Sequence, residues 1–272
     1  MTTRSISAAT TTTSTFPTSC AEADDVVRCR LMTAPIPVDV VAANVAEVRA
    51  RIESAARSAG RDPSAVRLIG VTKTRSPGDI ASLVAAGVID LGENRAQELA
   101  AKSLDPALVP LAVSWHMIGQ CQTNKVVSIA RAVSWWHSVD RISLADQIAR
   151  HSADLRSSDG PAGSGVAKVL VQVDTTGATG RGGVAPDGLA KLLDHCATLE
   201  LEVAGLMTVA PLGADPRSTF DLVEVLCVRH GLAERSMGMS DDFEVAIASG
   251  ATMIRVGRAL FAERRPGSPN PS

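Results

Sequence analysis

The sequence predicts an α/β fold, a single (β/α)8 TIM barrel with one extra helix in front of it. Three observations carry this reading. From residue 67 onward, short apolar runs of strand length alternate with amphipathic helical stretches, and strands joined by long helical crossovers pair in parallel. Eight such units fit between residues 37 and 264, close to the roughly 250 residues a closed barrel of this type uses. The first strand runs into GVTKTRSPGD, with no GxGxxG turn, whereas an open doubly wound sheet usually places that turn there.

The elements follow in order. Residues 1–36 open on MTTRSISAATTTTSTFPTSC, a Ser/Thr tract without hydrophobic period, and continue into a short charged stretch. Such a segment buries too little apolar surface to offset its ordering entropy, so 1–36 is expected to be a disordered tail. It lacks the apolar core of roughly 7–15 residues that marks a secretory signal. Glu22, Asp24 and Asp25 weigh against a transit peptide, and Met32 offers an internal start. The barrel is expected over 37–264, with a C-terminal tail over 265–272. VDVVAANVAEVRARIESAARSAG (38–60) spaces Val41, Val45, Val48 and Ile52 on one helical face, and Gly60 supplies the stop. Strands are predicted near 67–72, 88–91, 113–118, 135–139, 167–173, 202–207, 234–237 and 252–256. Helices are predicted near 77–86, 94–103, 123–132, 141–155, 186–198, 217–230 and 240–249.

Composition excludes several function classes. Lys plus Arg is 27 against 29 for Asp plus Glu, a net charge of −2, which leaves no broad basic face for nucleic acid and no polybasic membrane anchor. No apolar run approaches the ~18 residues of a membrane helix. Cys20, Cys29, Cys121, Cys196 and Cys227 are odd in number, scattered and without CxxC spacing. A disulfide framework or zinc site is therefore not expected, and a reducing cytoplasm fits best. The five histidines form no HExxH spacing, so no metal site is expected. The chain has no Tyr, which removes every tyrosyl acid, base or nucleophile.

Active sites of such barrels sit at the C-terminal strand ends, so polar residues there are the candidates. The first strand ends in Lys73, the second in Glu93 and Asn94, the fourth in Asp140 and the fifth in Asp174, while the third carries His116. The seventh runs into Ser236, Gly238 and Ser240, and the eighth holds Arg255 before Gly257. Together they would ring one mouth. A lysine desolvated at such a place has a lowered pKa and a neutral amine able to attack carbonyls; a solvated strand-end lysine is the alternative. SMGMSDD (236–242) and RVGR (255–258) leave backbone N–H groups free after strands seven and eight, the usual phosphate cradle of this fold. N-capping by Ser240 of a helix starting near Asp241 is compatible with that role. A nucleophilic lysine facing a phosphate site suggests a phosphorylated aldehyde, pyridoxal 5′-phosphate first and a sugar phosphate second. By alternation Arg255 shares a face with Met253, opposite Ile254 and Val256. If that face points inward, a cation lies beside a bound ring and leaves its nitrogen unprotonated; a structural pairing with Glu93 or Asp242 is the alternative.

The remaining features take structural readings. Trp115, Trp135 and Trp136 are expected to pack between barrel and helices, Cys121 to be a small core residue, and Lys125 to be a solvated helix residue. Asp241 and Asp242 are expected to serve a helix N-terminus. For His116, the mouth and a hydrogen-bonded core position both stay open.

GVTKT (70–74), LGEN (91–94), WHMIGQCQTNK (115–125), HSVDR (137–141), GLM (205–207) and SMGMSDDFEVAIASGATMIRVGRALF (236–261) resemble the ordered motifs of the pyridoxal phosphate homeostasis proteins, also called YggS-like or proline synthetase co-transcribed homologues. The resemblance covers roughly residues 40–264. It implies a barrel like the N-terminal domain of alanine racemase, with pyridoxal phosphate held as an internal aldimine on Lys73. It further implies Arg255 near the pyridine nitrogen, Asn94 near the ring, and Ser236, Met239, Gly257 and Arg258 at the phosphate. The implied role is to carry the cofactor and keep amino- and keto-acid pools balanced, without robust catalysis, as a monomer whose candidate recipients are apo enzymes that use the cofactor. Three positions depart from the family pattern: Arg258 stands where a small hydroxyl residue is common, the 174–183 loop has Asp174 and Arg181 in place of Asn and Lys, and Cys121 replaces an aliphatic residue.

Two other functions compete. An amino-acid racemase of the same barrel type needs a tyrosine from a second domain of the partner subunit. The chain carries no Tyr and runs only about ten residues past its last predicted elements, so that domain is expected to be absent. A Schiff-base aldolase acting on a phosphorylated sugar would need no cofactor.

Overall fold

The structure is a computed structural model that describes residues 35–157, 168–177, 182–211 and 213–262, with the side chains of 153–157 left aside. Most of the expected 1–36 tail, the 265–272 tail and Arg181 lie outside the described residues. Eight parallel strands form a closed barrel in sequence order, with the last pairing back onto the first. They are β1 (Arg67–Val71), β2 (Asp90–Glu93), β3 (Ser114–Met117), β4 (Val133–Val139), β5 (Lys168–Gln172), β6 (Val203–Met207), β7 (Glu234–Ser236) and β8 (Met253–Val256). Helix α1 (Val38–Ser58) precedes β1. The crossovers are α2 (Pro77–Ala85), α3 (Ala96–Ser103), α4 (Val126–Ile129), α5 (Ile142–Ser157), α6 (Leu189–Thr198), α7 (Arg217–His230) and α8 (Phe243–Ala248).

Why these segments fold so is local chemistry first. α2 starts at a capping box in which Ser76 and Asp79 satisfy each other's backbone N–H, with Pro77 at the first helical position. α7 stops at Gly231, whose φ of 66° suits a residue without a Cβ. α1 buries Val41, Val45, Val48 and Ile52 along one stripe, as the spacing predicts. It packs against α2, α8 and the 3-10 turn Arg258–Phe261 that follows β8. That turn is too short to cover the sheet, so α1 takes the place of an eighth crossover helix. Asn44, buried in α1, ties the two ends of the chain by donating to the carbonyls of Leu260 (3.2 Å) and Ala262 (2.9 Å).

Two apolar cores result from strand alternation. The larger lies between sheet and helices and takes Leu91, Trp115, Met117, Ile254 and Val256. The smaller fills the barrel with Ile69, Trp135, Leu170, Met207 and Met253. Each large side chain so removed from water contributes about 1.5–3 kcal/mol before its entropy cost. Met253 and therefore Arg255 face the axis, while Ile254 and Val256 face the helices, which is the inward option of the sequence reading.

Several sequence expectations are corrected. The second strand runs over Asp90–Glu93 rather than 88–91, because Gly87 turns the chain at φ 83° and Val88 is spent packing against the outer core. The helix expected over 123–132 is a 3-10 turn, Thr123–Lys125, followed by the single turn of α4. The last crossover helix begins at Phe243, not near Asp241. Trp115 and Trp136 pack between barrel and helices, but Trp135 points into the barrel. There Arg67 and Lys168 lie over its ring at 5.0 and 5.3 Å.

Candidate functional site at the C-terminal barrel mouth

Lys73 follows β1 at the C-terminal end of the barrel. Thr72 continues the ladder, its N–H donating to Gly92 O at 3.0 Å, so Lys73 keeps the inward parity of Ile69. Thr74 then turns sharply, with φ at 61°, a conformation a β-branched residue adopts only when its surroundings impose it. The imposing group is a buried ionic cluster behind the sheet. Lys102 Nζ donates at 2.7 Å to Thr72 O, Glu93 Oε1 and Glu98 Oε1, and Glu98 Oε1 also accepts the Thr74 N–H. The backbone on both sides of Lys73 is therefore held while its side chain is exposed. Lys73 is thus exposed, the solvated strand-end alternative of the sequence reading, two residues beyond the end of β1 at Val71.

The loops after β7 and β8 supply donors. Gly238 has φ 92°, and a Cβ there would come within 2.6 Å of Ala246 Cβ, so only glycine lets this loop fold back onto α8. Among the described residues, no group accepts from the backbone N–H of Ser240, Gly257, Arg258 or Ala259. The N–H of Met239 is taken by Asp242 Oδ1. Ser240 does not cap α8, and the N-cap residue Asp242 makes no side-chain cap bond to it; its carboxylate closes the loop on Met239 instead. The exposed Arg258 side chain pairs with Asp241.

Arg255 is buried inside the barrel. Its Nη1 donates to Ser236 O and Ser236 Oγ, both at 2.7 Å, and Nη2 donates to Thr208 O at 2.8 Å. Among the described residues no carboxylate pairs with it, so neither Glu93 nor Asp242 is its partner. Burial pushes the guanidinium down to about 10, against the attraction of Asp242. The Ser236 hydroxyl is fully buried and committed, receiving Arg255 and standing 2.9 Å from His137 Nδ1. Asn94, half-buried, leaves β2 so close to Gly119 that a Cβ on Gly119 would lie 2.1 Å from Asn94 O. An amine on a fixed backbone, a cation inside without a carboxylate, and free N–H groups in two adjacent loops suit a planar, phosphorylated aldehyde.

Other candidates are not brought to the mouth. Glu93 points outward to Lys102 and Thr72 because it shares the helix-side face of Leu91, two residues before it. Burial raises its pKa, with Lys102 the largest opposing influence. His116 is deep in the barrel, bonded to Asp90 and His137, which selects the core reading over the mouth. Asp140 pairs with Arg141 at 2.7 Å and accepts the Gly183 N–H at 3.3 Å, while Asp174 closes a turn onto Thr176. Lys125 is half-buried in its 3-10 turn. Cys121 is buried in the outer core, its thiol pushed up to about 11 by burial. The residues that sequence reasoning missed are His137, Lys102, Glu98 and Thr208. His137 had a usable signal, since it shares the strand face of Trp135; Lys102 and Glu98 had only the helical i, i+4 spacing.

Comparison with known proteins agrees with this picture. The family model described as alanine racemase, N-terminal domain, matches residues 43–265. Pyridoxal phosphate homeostasis proteins are similar along nearly their whole length: that of Pseudomonas aeruginosa is 40% identical over 238 residues, 85% of this chain and 99% of the relative. That of Escherichia coli is 33% identical, covering 82% of this chain and 97% of the relative. Among solved structures, PipY of Synechococcus elongatus with PLP bound is 32% identical with TM-score 0.68, covering 82% of this chain and 100% of that one. An alanine racemase from Streptomyces coelicolor shares the fold, at 18% identity and TM-score 0.61 over 82% of this chain and 58% of its own. With this extent of match, the chain belongs to the pyridoxal phosphate homeostasis protein family, whose barrel is that of the alanine racemase N-terminal domain.

Proposed function

We propose that the protein binds pyridoxal 5′-phosphate through Lys73 and acts in its homeostasis, as a carrier rather than a robust catalyst, with effects on amino- and keto-acid balance. The observation that carries the reading is an exposed lysine on a held backbone after β1, next to the strand that carries a buried Arg255 without a carboxylate partner among the described residues. When bound, the cofactor supplies an aldehyde and an electron-withdrawing ring. Lys73 would hold the cofactor through its side-chain amine, the group in this site able to condense with an aldehyde with loss of one water. Arg255 offers a ring nitrogen a hydrogen bond rather than a transferable proton, which weakens the ring as an electron sink. Ser240, Gly257, Arg258 and Ala259 offer N–H groups to the phosphate. Asn94 lies at the ring, and Ser236 and Met239 hold the phosphate loop in shape.

The same reading places the protein in the cytoplasm as a monomer that delivers the cofactor to apo enzymes. The relative named PipY, with PLP bound, supports the choice of ligand. Racemisation of the two-base kind gains no support, since the sequence has no Tyr. Incubation with pyridoxal phosphate, borohydride reduction and peptide mass spectrometry test the proposal. A phosphopyridoxyl mass on Lys73, lost in Lys73→Ala, is expected. No adduct on Lys73 would sink it, and brisk racemisation or decarboxylation of any amino acid would overturn the carrier role.

A further inference from the structure

A file of polar groups, with the Ser114 hydroxyl as a side branch 3.4 Å from His116 Nε2, runs through the barrel interior from its N-terminal end to Arg255. Asp90 stands at the first residue of β2, its side chain 23% exposed. His116 Nε2 is 3.0 Å from Asp90 Oδ1, His116 Nδ1 is 2.9 Å from His137 Nε2, and His137 Nδ1 is 2.9 Å from Ser236 Oγ. Ser236 Oγ receives Arg255 Nη1 at 2.7 Å. Donor and acceptor chemistry gives this file one direction. Arg255 only donates, so its N–H points at Ser236. The Asp90 carboxylate only accepts, so His116 carries its proton on Nε2 and leaves Nδ1 as an acceptor. His137 must then donate from Nε2, its Nδ1 accepts, and the Ser236 hydroxyl donates to it. Every ring nitrogen is satisfied with both rings neutral.

The surroundings favour that state. His116 and His137 are fully buried, and burial is the main influence holding both below the ordinary histidine range. The His116 ring first, then Arg255 on β8 and Arg67 on β1, add repulsion against a charged His137, while Asp90 is the carboxylate that pulls the other way at His116. Trp135 of β4 stacks parallel on the His116 ring, centroids 5.9 Å apart, and carries Lys168 of β5 above it. A buried polar network of this kind is favourable only when every member is paired.

We propose that Asp90, His116, His137 and Ser236 are positioning residues, a one-way hydrogen-bond relay that orients Arg255 from the opposite end of the barrel. The relay itself stands without any ligand; its effect on a bound cofactor rests on the function proposed above. Nitrogen-15 NMR of histidine-labelled full-length protein should show both rings as neutral Nε2–H tautomers near pH 7. A charged ring, or an Nδ1–H tautomer at either histidine, overturns the relay. Asp90→Leu removes the terminal acceptor, whereas Asp90→Asn keeps an acceptor oxygen. Expected in Asp90→Leu are a mixed tautomer at His137 and solvent exchange of the Arg255 guanidinium protons about fivefold faster, with both restored in Asp90→Asn. His116→Asn, which breaks the file at its second member, should reproduce the faster exchange if Asp90→Leu does not fold. Unchanged exchange in whichever of these folds shows that the file does not orient Arg255. In protein loaded with pyridoxal phosphate, Asp90→Leu should also shift the visible absorption band; a shift in neither variant overturns the positioning claim. Failure of the unsubstituted protein to load at all removes the cofactor reading and leaves the NMR tests of the relay intact.

Discussion

Two buried polar clusters serve the barrel mouth from opposite sides of the same sheet, and they are built on different electrostatics. Behind β1 and β2, Lys102 stands between two carboxylates, Glu93 and Glu98, and this ionic cluster holds the backbone around Lys73. Inside the barrel, two buried histidines and a serine lead to one cation, Arg255, with no carboxylate partner among the described residues. Charges buried for support are paired, since an unpaired one costs several kcal/mol. A charge left without its counter-ion is available to something that binds. That contrast fits Lys102 as scaffold and Arg255 as a ligand contact in the function proposed above.

The largest expected effect tests the scaffold. Lys102→Met leaves Glu93 buried without its cation and should cost about 3–5 kcal/mol in urea unfolding; a loss under about 1 kcal/mol would mean the cluster does not hold this corner. Next is the pH dependence of the inner file. His116 and His137 are held low when folded, so the unfolded chain takes up their protons first as pH falls through about 6.5. Stability is fully present above that range and should fall below it, by up to about 1.4 kcal/mol per pH unit for each ring. Glu93 works oppositely in its own range, because its raised value lets acid relieve the cost of burying it. Unfolding curves from pH 8 to 5 should therefore steepen with acid, and His137→Asn should remove one ring's share. A profile unchanged by that substitution would place the titration elsewhere.

Arg255→Met strips donors from Ser236 and Thr208 and should cost about 1–3 kcal/mol, with an altered visible spectrum of bound pyridoxal phosphate that Lys125→Ala does not reproduce. Equal, negligible spectral effects would remove Arg255 from the ring. The smallest effect belongs to Arg258→Ala, whose exposed pair with Asp241 should be worth under about 0.5 kcal/mol. Phosphate affinity should stay within twofold of the parent, roughly 0.4 kcal/mol, if the backbone N–H makes the contact. A tenfold loss would give the guanidinium a direct role.

Much of the fold was legible because its signals are local. Val41, Val45, Val48 and Ile52 announce the face of α1 by spacing alone, and Met253 and Arg255 share a strand face whatever the rest of the chain does. The strand-end rule lists Lys73, Arg255 and the two glycine loops, and the structure has them in or after β1, β7 and β8. It misplaced Glu93 because a strand-end position alone does not say which face is the helix side; Leu91 and the paired Met117 pack in the outer core, so Glu93 faces the helices with them.

The sequence by itself determined the order of elements, the parity of each strand and which residue types stand at the mouth, since periodicity and turn chemistry act within a few residues. Only barrel closure decided partners. His137 meets Ser236 across 99 residues, and Arg255 meets Thr208 across 47. Those pairings follow from the register between strands that are distant in the chain. They set which histidine nitrogen donates, which carboxylate turns away and which cation is left for a ligand.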